Sequence, residues 1–176
     1  MTNIKKMTAL REEVNIRAVR KADTDAVAGI YNHYVRQTII TFEEEAISSS
    51  EVYQRIRGVQ SSSLPWFVAE QAGEILGYAY ASRWKERCAY RFSAEVTVYV
   101  KPEHAGCGIG SRLYSQLLPA LRRREIHAAI GGIALPNEAS VAFHEKFGFT
   151  KVAHFQEVGF KFKRWIDVGY WQRLLK

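Results

Sequence analysis

The sequence contains little cysteine and no long apolar run. Each of these shortages excludes a class of protein. Only two cysteines occur among 176 residues, and the spacing of Cys88 and Cys107 fits neither a zinc site nor a disulfide framework. No stretch is apolar for long enough to cross a bilayer, and residues 1–13 hold no apolar stretch of signal-peptide type. We therefore expect a soluble, cytoplasmic protein without a metal or a membrane partner, preceded by a flexible segment over residues 1–13.

Acidic residues are also in short supply. The 18 Asp and Glu stand against 25 Lys and Arg, which gives a formal net charge of +7. Binding to nucleic acid would need a clustered basic stripe interleaved with aromatics. The basic residues are mostly dispersed, and the one tight cluster, at 122–124, ends a predicted helix where cations offset the helix dipole. We expect no nucleic-acid partner, while a phosphorylated cofactor would profit from the positive potential.

An alternation of strand and helix patterns occupies the rest of the chain. Strands are predicted at 15–20, 66–70, 75–83, 92–100, 128–133, 150–157 and 169–174. Helices are predicted from Asp23 to about Gln37, from the serines at 48–50 to about Val59, from a glycine loop to about Arg124, and from Asn137 to about Phe147. Pro119 is expected to kink or break the third helix. Since no linker or repeat intervenes, we predict one α/β domain over residues 14–176 with a mixed sheet.

A glycine loop follows the predicted strand at 92–100 and opens the third helix. A helix N-terminus presents unpaired N–H groups that bind phosphate, and glycines allow positive φ. The dinucleotide pattern G-x-G-x-x-G fails because Ser111 stands where a third glycine is due after Gly106 and Gly108, and no Lys-Ser/Thr pair of a P-loop follows. The segment indicates a phosphate loop of another class, with a plain strand–helix turn as the alternative.

Glu95 stands in the middle of the same predicted strand. Strand alternation places it on one face with Ser93, Thr97 and Tyr99. Burial would raise the pKa of this carboxyl, and a glutamate tuned to about 6–7 is suited to act as a general base. The alternatives are an edge-strand residue or a structural ion pair.

The strand with Glu95, the phosphate-type loop and a later helix that begins at residues 136–140 stand in an order that resembles the GNAT superfamily of acyl-CoA-dependent N-acetyltransferases. The resemblance spans residues from about 15 to 174 and is sharper for the phosphinothricin acetyltransferase group. The segments that carry it are I-Y-N-H-Y at 30–34, W-K at 84–85, A-E-V-T-V-Y-V at 94–100, L-P-N at 135–137, H-E-K-F-G-F at 144–149 and R-W-I-D-V-G-Y-W-Q at 164–172.

This resemblance implies a GNAT-type domain in which about seven strands splay around a cleft for acetyl-CoA, flanked by about four helices. Backbone groups near Val98 and Val100 would bind the pantetheine arm, and Asn137 would lie near the pantetheine or acetyl end. The pyrophosphate would be held by the amides of Gly106, Gly108, Ile109, Gly110 and Ser111. Ala105 stands where the family usually has glutamine or arginine, which removes one side-chain contact.

The resemblance also implies direct acetyl transfer. Glu95 would accept the amine proton, directly or through water, and an N–H near Val98 would stabilise the oxyanion. His144 stands where many relatives protonate the CoA thiolate with tyrosine; a packed helix histidine is the alternative. Cys107 is disfavoured as an acyl-enzyme nucleophile because no base stands beside it.

The implied acceptor is a small glutamate-like amino acid of the phosphinothricin or methionine sulfoximine type. Arg91 is the predicted carboxylate clamp on the strand face of Glu95, with Lys85 and Tyr90 as weaker candidates and Phe42 lining the pocket. The resemblance also implies a homodimer, because members of the group commonly pair in this way. Open alternatives are acetylation of a polyamine, an aminoglycoside or a protein amine, and a non-catalytic acyl-CoA-binding domain.

Overall fold

The computed structural model describes residues 13–176, so nearly all of the predicted flexible segment, residues 1–12, lies outside the described residues. Eleven helices and strands follow one another in that part of the chain. They are β1 (Asn15–Ala18), α1 (Thr24–Gln37), α2 (Ser49–Ser61), β2 (Trp66–Gln71), β3 (Glu74–Arg83), β4 (Ser93–Val100), α3 (Ile109–Arg122), β5 (Ala128–Leu135), α4 (Glu138–Lys146), β6 (Thr150–Lys161) and β7 (Arg164–Leu174).

The seven strands form one mixed sheet in the order β1-β2-β3-β4-β5-β7-β6, which confirms the predicted α/β class. Within the described chain, β4 and β5 are the one parallel pair, joined by the crossover helix α3. Opposite faces of the sheet receive different helices. Tyr31 of α1 packs edge-on against Tyr99 of β4 with ring centroids 5.2 Å apart. On the other face, Ile109 of α3 lies close to Gly77 of β3.

The predicted helix starts follow capping chemistry. Ser48 caps α2: its hydroxyl accepts from the Glu51 N–H at 3.2 Å, and the Glu51 carboxylate accepts from the Ser48 N–H at 2.7 Å. Asn137 caps α4 by accepting from the Ser140 N–H at 3.1 Å. Gly148, with φ of +77°, follows the end of that helix as expected.

The C-terminal hairpin is much longer than predicted. Strands β6 and β7 extend to Lys161 and back from Arg164, whereas the sequence pattern predicted their near ends at residues 157 and 169. A two-residue turn, Phe162-Lys163, joins them with φ of 50° and 59°. Such turns favour Asn-Gly and related pairs, so a Phe-Lys turn carries no recognisable signal.

Of the two expected effects of Pro119, a kink or a break of the third helix, the break does not occur. Helix α3 continues through Pro119 to Arg122. Only one turn follows the proline, and Ser115, whose carbonyl loses its helical partner to Pro119, is an exposed residue. No helix in residues 13–176 is long and apolar enough to cross a membrane.

Candidate active site

The sheet divides where β4 separates from β5. The two strands pair only from Ser93 to Glu95, opposite residues 128–130. Beyond that point β5 continues along β7 as far as Leu135, while β4 continues along β3 as far as Val100. This split leaves a cleft between two strands that remain fixed on their other sides, which confirms the splayed sheet that the resemblance implied.

The backbone of β4 directs free polar groups into the cleft. The Lys101 N–H donates to the Leu76 carbonyl at 2.8 Å, so Lys101 belongs to a hydrogen-bonded pair with β3. Pairs alternate along antiparallel strands, which makes Val98 and Val100 members of non-hydrogen-bonded pairs with β3. Their N–H and C=O groups therefore point towards the side that β5 has left. The Val100 carbonyl already accepts from the Tyr34 hydroxyl.

A cavity of about 580 Å³ opens at the split. Six parts of the fold enclose it: strand β4, the β5–β7 wall, strand β6, helix α4, the segment between α1 and α2, and the connection between β3 and β4. Its lining includes Glu95, Thr97, Val98, Gly132, Tyr170, Ser140, His144, Thr41, Phe42, Trp84, Lys85, Phe155 and Val158.

Glu95 lies half-buried in this wall. Burial raises the pKa of its carboxyl above the ordinary value, and the nearby Lys85 charge lowers it in part. Gly132 gives the carboxylate its space, because a Cβ there would lie 3.3 Å from Glu95 Oε1 and 3.1 Å from Tyr170 Cε1. Glu95 sits on a central strand, and within residues 13–176 it forms no ion pair within 4.0 Å. Neither structural alternative for Glu95 matches this placement.

His144 lies at the other side of the cavity and is only 4% exposed. Its Nδ1 lies 2.8 Å from the Ser140 carbonyl oxygen, and its Nε2 lies 3.1 Å from the Tyr114 hydroxyl. Because a carbonyl only accepts, Nδ1 carries the proton and the Tyr114 hydroxyl donates to Nε2. Burial lowers the pKa of His144, which favours this neutral form. Gly131 makes room for the ring, since a Cβ there would lie 2.6 Å from Nε2.

The glycine loop has the backbone geometry of an anion site. Gly106 and Gly108 have φ of +77° and +81°, and Gly108 caps α3. The first helical bond runs from the Arg112 N–H to the Gly108 carbonyl at 3.1 Å. Among described residues, the five amides predicted for the pyrophosphate have no backbone partner; they belong to Gly106, Gly108, Ile109, Gly110 and Ser111.

A cation that the sequence pattern did not suggest joins the loop. Lys146, at the end of α4, places its Nζ 3.3 Å from the Ser111 hydroxyl. Helix α4 reaches this point because Phe143 packs against Gly110, where a Cβ would lie 3.2 Å from the Phe143 ring. Free amides, a helix N-terminus and a lysine together fit a diphosphate.

The structure brings some predicted site residues together and separates others. Glu95, His144, Val98, Phe42 and Lys85 line one cavity. Asn137 lies beside it, where its side chain is engaged in capping α4.

Arg91 and Tyr90 lie outside that lining. The prediction that Arg91 shares a strand face with Glu95 is wrong, because β4 begins only at Ser93. Arg91 instead follows a short 3-10 turn, Cys88–Tyr90, and its guanidinium packs over the Phe92 ring at 4.4 Å. The alternation of side chains along β4 does not apply to residues before Ser93.

Several lining residues were not predicted, and they come from segments far apart in sequence. Tyr170 contacts Trp84 edge-on with ring centroids 5.3 Å apart, and Phe155 lies against the other side of Tyr170 at 5.7 Å. Ser140 occupies the first turn of α4. The one local signal was the pair Gly131-Gly132 within a strand, which marks close approach of other groups. No group of three metal-ligating side chains occurs within residues 13–176.

Comparison with known sequences agrees with this geometry. Residues 16–169 match the family of acetyltransferase (GNAT) domains. The chain is 38% identical over 167 residues to a phosphinothricin N-acetyltransferase of Streptomyces viridochromogenes, covering 95% of this chain and 91% of the relative. It is 35% identical over 159 residues to an L-methionine sulfoximine/L-methionine sulfone acetyltransferase of Salmonella typhimurium, covering 90% and 93%.

Solved structures give the same result. A GNAT superfamily phosphinothricin acetyltransferase from Sinorhizobium meliloti, solved in complex with acetyl-CoA, superposes with a TM-score of 0.88 at 33% identity, covering 92% of this chain and 88% of that one. A Salmonella typhimurium protein solved with its cofactor acetyl-CoA superposes with a TM-score of 0.89 at 34% identity, covering 93% and 94%. The chain therefore belongs to the GNAT family and is an acetyl-CoA-dependent N-acetyltransferase, related to the phosphinothricin and methionine sulfoximine acetyltransferases.

Proposed function

We propose that this enzyme acetylates the amino group of a small glutamate-like amino acid, of the phosphinothricin or methionine sulfoximine type, with Glu95 as general base. One observation carries the proposal: a carboxyl with a raised pKa lines the cavity at the point where β4 and β5 part. The acceptor type is supported by the relatives, which act on such amino acids and resemble this chain over nine-tenths of its length.

The residues on the cofactor side have a binding role. Acetyl-CoA supplies a thioester carbonyl that can be attacked by an amine. The amides of the glycine loop and the Lys146 ammonium would hold its diphosphate. The main-chain groups of Val98 and Val100 that face the cleft would bind the pantetheine arm, with the Val98 N–H also placed to stabilise an oxyanion.

Glu95 acts on the amine. An amine attacks only when neutral, and most amines are protonated at neutral pH. Glu95 has the raised pKa that general-base work requires, and it faces the cavity rather than a structural partner. The neighbouring Lys85 opposes the effect of burial by lowering the same pKa, which favours the ionised form that accepts a proton.

His144 is the proposed proton source for the departing thiolate. It lines the cavity, although both of its nitrogens already have partners. Ser140 offers the connection, since its hydroxyl lies 3.4 Å from His144 Nδ1 in the same lining. We therefore place the Ser140 hydroxyl between His144 and the thiolate, with His144 acting in its protonated form. The imidazolium gives its Nδ1 proton to the Ser140 oxygen while the Ser140 hydroxyl proton passes to sulfur, which leaves a neutral ring.

Lys85 is the proposed partner of the acceptor carboxylate, with Phe42 packing on the acceptor. Both side chains line the cavity with Glu95, which Arg91 and Tyr90 do not. The same cavity holds one lysine and one free carboxylate, which suits an amino acid with adjacent opposite charges.

Thiol-release kinetics across a panel of amino acids and amines test the proposed acceptor. We expect turnover with phosphinothricin or methionine sulfoximine and little with spermidine or an aminoglycoside. Activity confined to polycations or peptides would contradict the proposal. Binding of acetyl-CoA without turnover of any amine would instead support a non-catalytic domain.

We further propose that the enzyme forms a homodimer through the long β6–β7 hairpin. Its outer face exposes large apolar side chains, among them Trp165 at 62% and Phe160 at 51%. The Phe160 and Trp165 rings pack together at 4.9 Å and extend this surface. Light scattering of the intact chain should give twice the monomer mass, and Trp165→Glu should give the monomer. A monomeric parent would contradict the dimer.

A cytoplasmic location is also proposed. Both cysteines, Cys88 and Cys107, are free and exposed, which is typical of proteins in a reducing compartment. Cell fractionation against a cytoplasmic marker tests this, and recovery with exported proteins would contradict it.

A further inference from the structure

A second cavity, of about 480 Å³, lies beside the active site and is strongly basic. Three connections enclose it: the one between β3 and β4, the turn after α2 and the turn after α3. Four arginines and one lysine line it, namely Arg83, Lys85, Arg87, Arg91 and Arg124. We call these five residues and their cavity the basic basin. Glu86 is the one carboxylate residue in the lining.

The positive charge of the basin is not neutralised within the described chain. None of its five cations forms an ion pair within 4.0 Å among residues 13–176. Five like charges around one cavity repel one another, and an anion inside would relieve that repulsion.

Two of the arginines are held in place by carbonyl groups. Arg124 donates to the Ser63 carbonyl at 2.9 Å and to the Ala120 carbonyl at 3.0 Å. Arg91 donates to the Cys88 carbonyl at 3.2 Å. A carbonyl restrains a guanidinium without cancelling its charge, so these side chains are ordered before any anion arrives.

The basin adjoins the catalytic cavity. Lys85 lines both. Ser93 lines the basin and Glu95 lines the catalytic cavity, and the two stand on the same face of β4, about 7 Å apart along the strand. The two cavities therefore lie side by side along one strand.

We propose that the basic basin is a binding site for a phosphorus oxyanion such as phosphate or a phosphinate. Planar guanidinium groups bind such anions through paired hydrogen bonds. The oxyanion has two sources: the acidic side-chain group of the acceptor, or free phosphate. The first source rests on the proposed acceptor class, whereas binding of free phosphate does not.

Isothermal titration of the intact protein with inorganic phosphate tests the site itself. The test variant is the double substitution Arg87→Gln/Arg91→Gln, and the matched control is Arg36→Gln/Arg57→Gln, which removes the same charge from exposed positions outside the basin. We expect saturable binding that weakens about tenfold or more in the basin variant and stays unchanged in the control. No saturable binding, or equal weakening in both variants, overturns the proposal.

Kinetics with a pair of acceptors then identify the source. Phosphinothricin carries an acidic side-chain group, whereas methionine sulfone does not. If the acceptor fills the basin, phosphate competes with phosphinothricin, and the basin variant raises the KM of phosphinothricin while leaving that of methionine sulfone unchanged. If free phosphate fills it, phosphate binds equally well with phosphinothricin present, and the two KM values respond alike. Should no amino acid be acetylated, the proposed function fails, and the phosphate titration still decides the basin.

Discussion

At the cofactor end of the cleft, the proposed binding groups are main-chain groups of one continuous segment, residues 98–111, joined by the Lys146 ammonium, whereas at the acceptor end they are side chains from distant segments. The main-chain groups at the cofactor end are brought together by a strand, a glycine loop and a helix that follow one another along the chain. The acceptor end needs Phe42 to meet Gly159, where a Cβ would lie 2.3 Å from the ring. A binding site made of main-chain groups can therefore be predicted from one short sequence segment. A binding site made of side chains from several packed elements cannot.

Contacts between residues far apart in sequence hold the segment between α1 and α2 over the acceptor end of the cavity. The Lys161 ammonium, in a side chain that is 1% exposed, donates to the Thr41 carbonyl at 2.7 Å across 120 residues of sequence. The Tyr31 and Thr41 hydroxyls lie 2.6 Å apart on the other side of the same segment. The long β6–β7 hairpin therefore positions Phe42 over the cavity from outside the local sequence.

Glu95→Gln should produce the largest effect, and it should lower turnover without changing the binding of CoA. The amide cannot accept a proton, so turnover should fall by about 10²–10⁴-fold. The affinity for CoA should not change, because the cofactor end is built from other residues. Steady-state kinetics and CoA titration measure the two quantities, with Glu103→Gln on the exposed turn after β4 as control. An unchanged turnover would remove Glu95 as the base.

Gly108→Asp should act on the cofactor end alone. The substitution places a carboxylate at a helix N-terminus meant for an anion and puts a side chain on a backbone with φ of +81°. We expect CoA affinity to weaken about tenfold or more, with a smaller change in the KM of the acceptor. Gly108→Asn is the matched control, since it tolerates the left-handed backbone without the charge. Equal loss in both variants would assign the effect to backbone strain.

Lys161→Met should act on the acceptor end alone. Loss of the ammonium leaves the buried Thr41 carbonyl without this donor, which costs about 1–3 kcal/mol and frees the segment that carries Phe42. The KM of the acceptor should rise about tenfold while CoA affinity is retained. Lys163→Met, in the exposed turn of the same hairpin, should leave both values unchanged. A parallel loss of CoA affinity would show that the two ends are not independent.

The smallest effect concerns pH. The base works when ionised, so activity should rise with pH through a midpoint above the ordinary glutamate pKa, because burial raises the pKa of Glu95. Lys85 lowers that pKa, so Lys85→Met should move the midpoint further up. The pH profile of kcat/KM measures the shift. A midpoint that moves down would place another group in the role of base.

How much could be predicted depends on where the signal lies. Ser48, Asn137 and Gly148 mark helix ends by local chemistry, and the structure places those ends as predicted. The turn at residues 162–163 has no glycine or asparagine to announce its positive φ, so the far half of the hairpin was missed.

The candidate site shows the same limit. Glu95 and the glycine loop were found because strand alternation and glycine spacing are local patterns. The positions of Lys146 and Tyr170 depend on how separate elements pack, and Arg91 was misplaced because nothing local marks Ser93 as the first residue of β4.

A crystal structure of the enzyme with acetyl-CoA tests the central claim most directly. We expect the diphosphate on the amides of residues 106–111, the thioester between β4 and β5 beside Val98, and the Glu95 carboxylate facing the same open cavity. A glycine loop without the diphosphate, or a thioester bound away from Glu95, would contradict it.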